Sequence, residues 1–225
     1  MTYPPFDIAG KTALVSGGNS GIGLGMAEAL ASAGANICVW GTKKQKNALA
    51  HRKLTRHGVK VLALECDVSV ETAVEKAFAR TVDTFGQVDA CFANAGVGGK
   101  ATSFVEMTKD EWRHVMGVNL DGAFFTLRAA AQHMCNSDTG GSLVATASLA
   151  ALEGQASGQH YAATKGGLVS MMHSLAVGLA RHGIRANSIL PGWVDTDMTH
   201  GWLQRDTVKK PLLRRVSTRR WGEAG

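Results

Sequence analysis

The sequence predicts an α/β protein, a single doubly wound domain spanning residues 1–225 with a parallel sheet flanked by helices. Three observations predict it. Short apolar runs alternate with longer helix-patterned stretches. The runs are near-continuous in apolar residues, as strands buried on both faces of a parallel sheet are. No internal repeat, low-complexity linker or second composition divides a chain whose length suits one large domain.

The elements follow in order. The runs are "TALVSG" (12–17), "NICVWG" (36–41), "KVLALEC" (60–66), "VDACFANAG" (88–96), "GSLVATAS" (141–148) and "IRANSILPG" (184–192). After the first, Ile22, Met26, Ala29, Leu30 and Ala33 recur at helical spacing. Residues 43–57, 69–85, 108–136 and 159–182 are long enough for the remaining helices. Ligands of such sheets bind outside the carboxyl ends of the strands, so the ends of these runs are where chemistry is expected.

Composition narrows the function. The 27 glycines are about 12% of the chain, against a usual ~7%, which implies tight turns and backbone pressed close to a ligand. Cys38, Cys66, Cys91 and Cys135 lie far apart and form no C-x-x-C. They read as free thiols in a reducing compartment, and the expected location is the cytoplasm. No apolar run is long enough to cross a bilayer, so no membrane partner is expected. The eight histidines show no metal-binding spacing, and no metal is expected. The net charge of +6 is concentrated: from Arg205 onward seven Lys/Arg face two Asp/Glu. A basic tail on a nearly neutral body is a weak nucleic-acid signal, and no nucleic-acid partner is expected.

The loop "SGGNSGIG" (16–23) runs from the first strand into the first helix. Its glycines, Gly17, Gly21 and Gly23, are spaced G-x-x-x-G-x-G. An ordinary strand-to-helix turn would look the same, but glycines here also let backbone approach a pyrophosphate resting on the free amides of the helix, with Asn19, Ser20 and Ile22 alongside. A second signal is "HYAATKGGL" (160–168), where Tyr161 and Lys165 stand four residues apart and so share one helix face. Alone, the pair reads as well as a surface contact.

Together these motifs resemble the short-chain dehydrogenase/reductase family, in its compact single-domain, Rossmann-type form, over about residues 9–224. "CDV" (66–68) matches the strand end where the family uses Asp67 and Val68 beside the adenine. "ANAG" (93–96) matches the family's N-N-A-G with Ala93 in place of the first Asn, and implies cofactor contacts by Asn94, Ala95 and Gly96. "VNL" (118–120) places Asn119 in a helix as the family's fourth catalytic residue. Ser148 stands 13 residues before Tyr161. Pro191, Gly192, Val194 and Thr196 match the segment that holds the nicotinamide carboxamide.

The resemblance implies interconversion of an alcohol and a ketone or aldehyde with NAD(P)(H), on a small-molecule substrate. Asn119, Ser148, Tyr161 and Lys165 would be catalytic, with Tyr161 as general acid/base and both Tyr161 and Lys165 also touching the cofactor. An ammonium at ~4 Å and an effective dielectric of ~20 is worth about 4 kcal/mol, enough to bring a phenol toward neutrality. The second run ends "WGTKK": Gly41 stands where an acid would bind the ribose of NAD, followed by Thr42, Lys43 and Lys44. This favours NADP(H), with NAD(H) the alternative. A non-catalytic nucleotide-binding redox sensor on the same fold is the rival reading. Leu152, Gln155, Trp193, Met198, Trp202 and Leu203 are expected to line or cover the substrate pocket, with residues 195–220 forming a covering loop and helix. The family's closing helix and seventh strand are not matched, which gives two further expectations: that this chain is incomplete, and that the protein is a homo-oligomer, a tetramer.

Overall fold

The computed structural model describes residues 6–100, 103–154 and 156–224, the side chain of Trp202 excepted. Six parallel strands, β1 (Thr12–Ser16), β2 (Asn36–Gly41), β3 (Val61–Glu65), β4 (Ala90–Ala93), β5 (Gly141–Thr146) and β6 (Ile184–Ile189), form one sheet in the order β3-β2-β1-β4-β5-β6. The order reverses between β1 and β4, which leaves a crevice beyond their carboxyl ends. Each apolar run supplied a strand, and the residues left over at its carboxyl end became loop.

Helices α1 (Gly21–Ser32) and α2 (Lys44–Thr55) cover one face. Ala27 and Ala31 of α1 and Ala50 and Leu54 of α2 pack there on Ala13, Val15, Ile37 and Val39. On the other face lie α3 (Glu71–Phe85), α4 (Lys109–Met116), α5 (Gly122–Ser137) and α6 (Gln159–Leu179). Phe78, Leu127, Met134, Leu168 and Met172 fill the space above Leu14, Cys38, Cys91 and Leu143. The stretch expected as one helix over 108–136 is two, joined by a π-helical turn at Gly117–Asp121 that carries Asn119. Such turns are frequent at functional sites.

Two short helices close the chain, α7 (His200–Leu203) and α8 (Asp206–Arg215). The sheet edge departs from expectation. β6 is not apolar throughout: Ile184 and Ala186 are buried, while Arg185, Asn187 and Ile189 are exposed. It is buried on one face only. Among the described residues no helix is long and apolar enough to cross a membrane.

Candidate active site

The glycine loop is shaped by close approach. Gly17 has φ +65°, and a Cβ there would lie 2.9 Å from the Ala95 backbone. A Cβ on Gly23 would overlap the Gly17 carbonyl and the Asn94 amide. The loop therefore lies flat against the end of β4. Ser20, at the N-cap of α1, makes no side-chain cap bond, and the first turn holds no acid. The first amides of the helix are thus free for an anion.

Asn94 stitches three strands together at this point. Its backbone N–H donates to Ser16 Oγ (3.1 Å), its Nδ2 to the Ser16 carbonyl (3.1 Å), and its Oδ1 accepts from Thr146 Oγ1 (3.1 Å). Beyond it opens a cleft of about 720 Å³. Every residue expected at the cofactor lines it: Gly17, Asn19 to Gly23, Thr42, Lys43, Asp67, Val68, Asn94 to Gly96, Tyr161, Lys165, Pro191, Gly192, Val194 and Thr196. Ser148 lines it too. A groove with free helix amides and glycines flush to its floor fits a dinucleotide.

Tyr161 and Lys165 share one face of α6, with the ammonium 5.4 Å from the ring centroid. Lys165 is 4% exposed, and its Nζ donates to the Thr146 carbonyl at 2.6 Å. Burial pushes the lysine down to about 8. Burial also pushes the Tyr161 phenol above its usual value, partly offset by its hydrogen bond with Ser148. The net shift is upward, against the lowering expected from Lys165, because withdrawal from water outweighs the favourable contacts. Ser148 Oγ also accepts from the Ala150 N–H (3.2 Å), so it caps the next turn as well as meeting the tyrosine.

Asn119 stands behind the wall of the cleft, fully buried. Its amide grips the Val97 peptide on both sides: Oδ1 accepts from Val97 N–H at 2.7 Å and Nδ2 donates to Val97 C=O at 2.9 Å. Nδ2 also reaches Thr164 Oγ1 at 3.3 Å.

At the end of β2 the space over Gly41 is filled. A Cβ on Gly41 would overlap the Asn19 amide, which donates to Asn47 Oδ1 at 2.7 Å. Lys44 pairs with Glu65 (3.5 Å), whereas Lys43 forms no ion pair among the described residues. Asp67 Oδ1 accepts from the Ser69 N–H (3.0 Å) and hydroxyl (2.7 Å), ordering the turn into α3.

Of the substrate-pocket candidates, only Met198 lines the cleft. Leu152 is exposed and does not line it, and Leu203 is wholly buried. The Trp193 carbonyl accepts from Gly222 N–H. Gln155 and the Trp202 side chain lie outside the described residues. Sequence reasoning missed Thr146, Asn47 and the pair Lys46–Asp197, whose atoms meet at 2.5 Å beside the glycine loop. Only Asn47 left a trace, as a polar residue on the apolar face of α2. Among the described residues no group of His, Cys, Asp and Glu has metal-holding geometry.

A family model described as enoyl-(acyl carrier protein) reductase matches residues 17–225. An L-rhamnose 1-dehydrogenase (NAD(P)(+)) of Azotobacter vinelandii is 34% identical over 95% of this chain and 84% of its own. The chain belongs to the short-chain dehydrogenase/reductase family. Among solved structures, this member is similar to a short chain dehydrogenase from Burkholderia cenocepacia J2315 in complex with NADP. There the TM-score is 0.89 and the identity 30%, over 97% of this chain and 87% of that one. It is equally similar in fold to an NAD+-bound xylitol dehydrogenase, with TM-score 0.89 and 28% identity over 96% and 88%. This short-chain dehydrogenase/reductase is an NAD(P)-dependent enzyme that interconverts an alcohol and a carbonyl compound. The comparisons give no support to a non-catalytic sensor.

Proposed function

We propose that this enzyme acts on a polyhydroxylated small molecule, a monosaccharide or polyol, with Tyr161 as the proton donor in reduction and acceptor in oxidation. The observation that carries the reading is the meeting of Tyr161, Ser148 and Lys165 in one cleft with the uncapped amide end of α1. A nicotinamide dinucleotide, when bound, supplies or takes the hydride. The Tyr161 hydroxyl gives its proton to the carbonyl oxygen, and the Ser148 hydroxyl orients that oxygen and stabilises its developing charge. Lys165 supplies a positive charge that works toward tyrosinate, against the burial that raises the phenol. Asn119 holds the Val97 wall in place. Asn19 to Gly23 hold the pyrophosphate, Asp67 and Val68 the adenine side, Asn94 to Gly96 the cleft floor, and Pro191, Gly192, Val194 and Thr196 the carboxamide end. Residues 195–220 cover the substrate. The sugar class is supported by relatives named for rhamnose and xylitol.

NADP(H) is the preferred cofactor in this reading. Its support is the lack of a carboxylate at the end of β2 and the presence of Lys43 and Lys46 on the cleft wall. The cysteines, free in the structure and three of them buried, support a reducing, cytoplasmic setting. The half-exposed face of β6 supports a homo-oligomer, for which a tetramer is proposed.

Two comparisons test the reading. Oxidation of NADPH and NADH is followed with a panel of ketoses, aldoses and 3-oxoacyl thioesters. Turnover of sugars, with kcat/KM at least tenfold higher for NADPH, is expected. Activity confined to thioesters overturns the substrate class, and a tenfold preference for NADH shows that Lys43 and Lys46 only face solvent.

A further inference from the structure

The loop after β4 is fastened twice. Asn119 holds Val97 at its start, as described above. At its far end the Lys100 N–H donates to Glu111 Oε1. That same carboxylate oxygen accepts from Nε2 of His160, 3.2 Å away. His160 is the second residue of α6 and the immediate neighbour of Tyr161. It is fully buried, and its other nitrogen, Nδ1, is buried without a partner. Gly99 sits against the ring so closely, at φ +78°, that a Cβ there would overlap Nε2.

Packing does not account for a histidine in this place. Leucine or methionine would occupy similar volume without leaving a buried nitrogen unpaired, and an unpaired buried polar atom is a standing cost. What the ring adds is the bond to Glu111. Through it, one carboxylate oxygen on α4 is joined both to the loop whose Val97 lines the cleft and to the first turn of the helix that carries the tyrosine.

We propose that Glu111 and His160 are positioning residues for Tyr161, locking the Val97–Lys100 loop to the start of α6 so that the phenol stays beside Ser148 in a dry site. This deepens the proposed function and rests on Tyr161 being the proton donor. The two residues touch neither substrate nor cofactor in this account. Their effect runs through the tyrosine.

The sequence offers an unusual readout, because it holds only two tyrosines, Tyr3 and Tyr161. Ultraviolet titration, with Tyr161→Phe as the reference, reports the ionisation of Tyr161 directly and needs no substrate. Lys165 on its own helix lies by the ring, His114 lines the same cleft, and Glu111 bonds to the neighbouring His160. Burial raises the phenol, so loosening the loop admits water and the tyrosinate should appear at lower pH.

Glu111→Ala and His160→Ala are expected to lower kcat about tenfold, leave the NADPH dissociation constant within about twofold, and shift the titration downward. The double variant should be no worse than either single one, because both break one joint. Glu111→Gln keeps the accepting oxygen and should restore wild-type values in both measurements. Where the alanine variants fail to fold, Glu111→Asp withdraws the oxygen by one methylene and should titrate as they would. A folded Glu111→Ala with unchanged kcat and titration overturns the proposal. So does additivity in the double variant, or a Glu111→Gln as damaged as the alanine. A wild-type protein that binds NADPH but turns over no carbonyl counts against the proposed activity alone, since the titration reads the joint independently.

Discussion

Lys165 is a cation kept where water is scarce, and that single fact sets its chemistry and its cost. Folding lowers its pKa to about 8 from 10.5. Below pH 8 the lysine is protonated folded and unfolded alike, so the burial cost is present in full. Between pH 8 and 10.5 the unfolded chain alone holds the proton, and stability rises with pH until the cost is gone. Lys165→Met should therefore stabilise the protein by about 1–3 kcal/mol at pH 7, less at pH 9.5, and abolish turnover. Urea denaturation at the two pH values measures this. A net loss at pH 7 would mean that the bond to Thr146 outweighs the desolvation. Tyr161→Phe removes only the hydroxyl. Turnover should fall by at least about 10²-fold while the NADPH dissociation constant stays within a few-fold. Titration calorimetry beside steady-state rates separates the two, and retention of most of the wild-type kcat would remove Tyr161 from the mechanism.

At the scale of elements, the junction of β2, β3 and α2 depends on one buried amide. Asn47 Nδ2 donates to the carbonyls of Gly41 (2.9 Å) and Leu64 (3.0 Å), while its Oδ1 accepts from Asn19. Asn47→Ala should cost about 1–3 kcal/mol and release Asn19 from its place over Gly41. Thermal denaturation reads the first effect and dinucleotide binding the second. Unchanged values in both would show that water replaces the amide without loss. Legibility in the sequence varied by element. The apolar runs gave all six strands because both faces of a parallel sheet are buried. The 108–136 stretch showed its helical period but not the π-helical turn inside it. That turn buries Asn119 and leaves no mark on periodicity.

For the whole molecule, the arrangement of charge and edge matters most. Of the arginines in the basic tail, Arg215 pairs with Glu153 at 3.1 Å. The edge strand β6 carries Arg185 and Asn187 outward, and charged or polar residues there discourage indiscriminate pairing. A specific homo-oligomer is still expected. Light scattering should give a mass near four times 23.7 kDa, and a monomer at all concentrations would rule the assembly out.

The sequence by itself determined the sheet, the glycine loop and the placing of Tyr161 and Lys165 on one face of a helix. Their signals are local: buried runs, backbone that only glycine allows, and two side chains one helical turn apart. It also suggested a phenol lowered by its lysine, and it gave no sign of an amide over Gly41. Tertiary structure decided both, because Asn19 and Asn47 meet from separate elements and because the fold withdraws the Tyr161 ring from water. The joint of Glu111 with His160, 49 residues apart in sequence, belongs to the same class. Contacts between distant residues depend on where the sheet brings them, and no period or spacing along the chain records that.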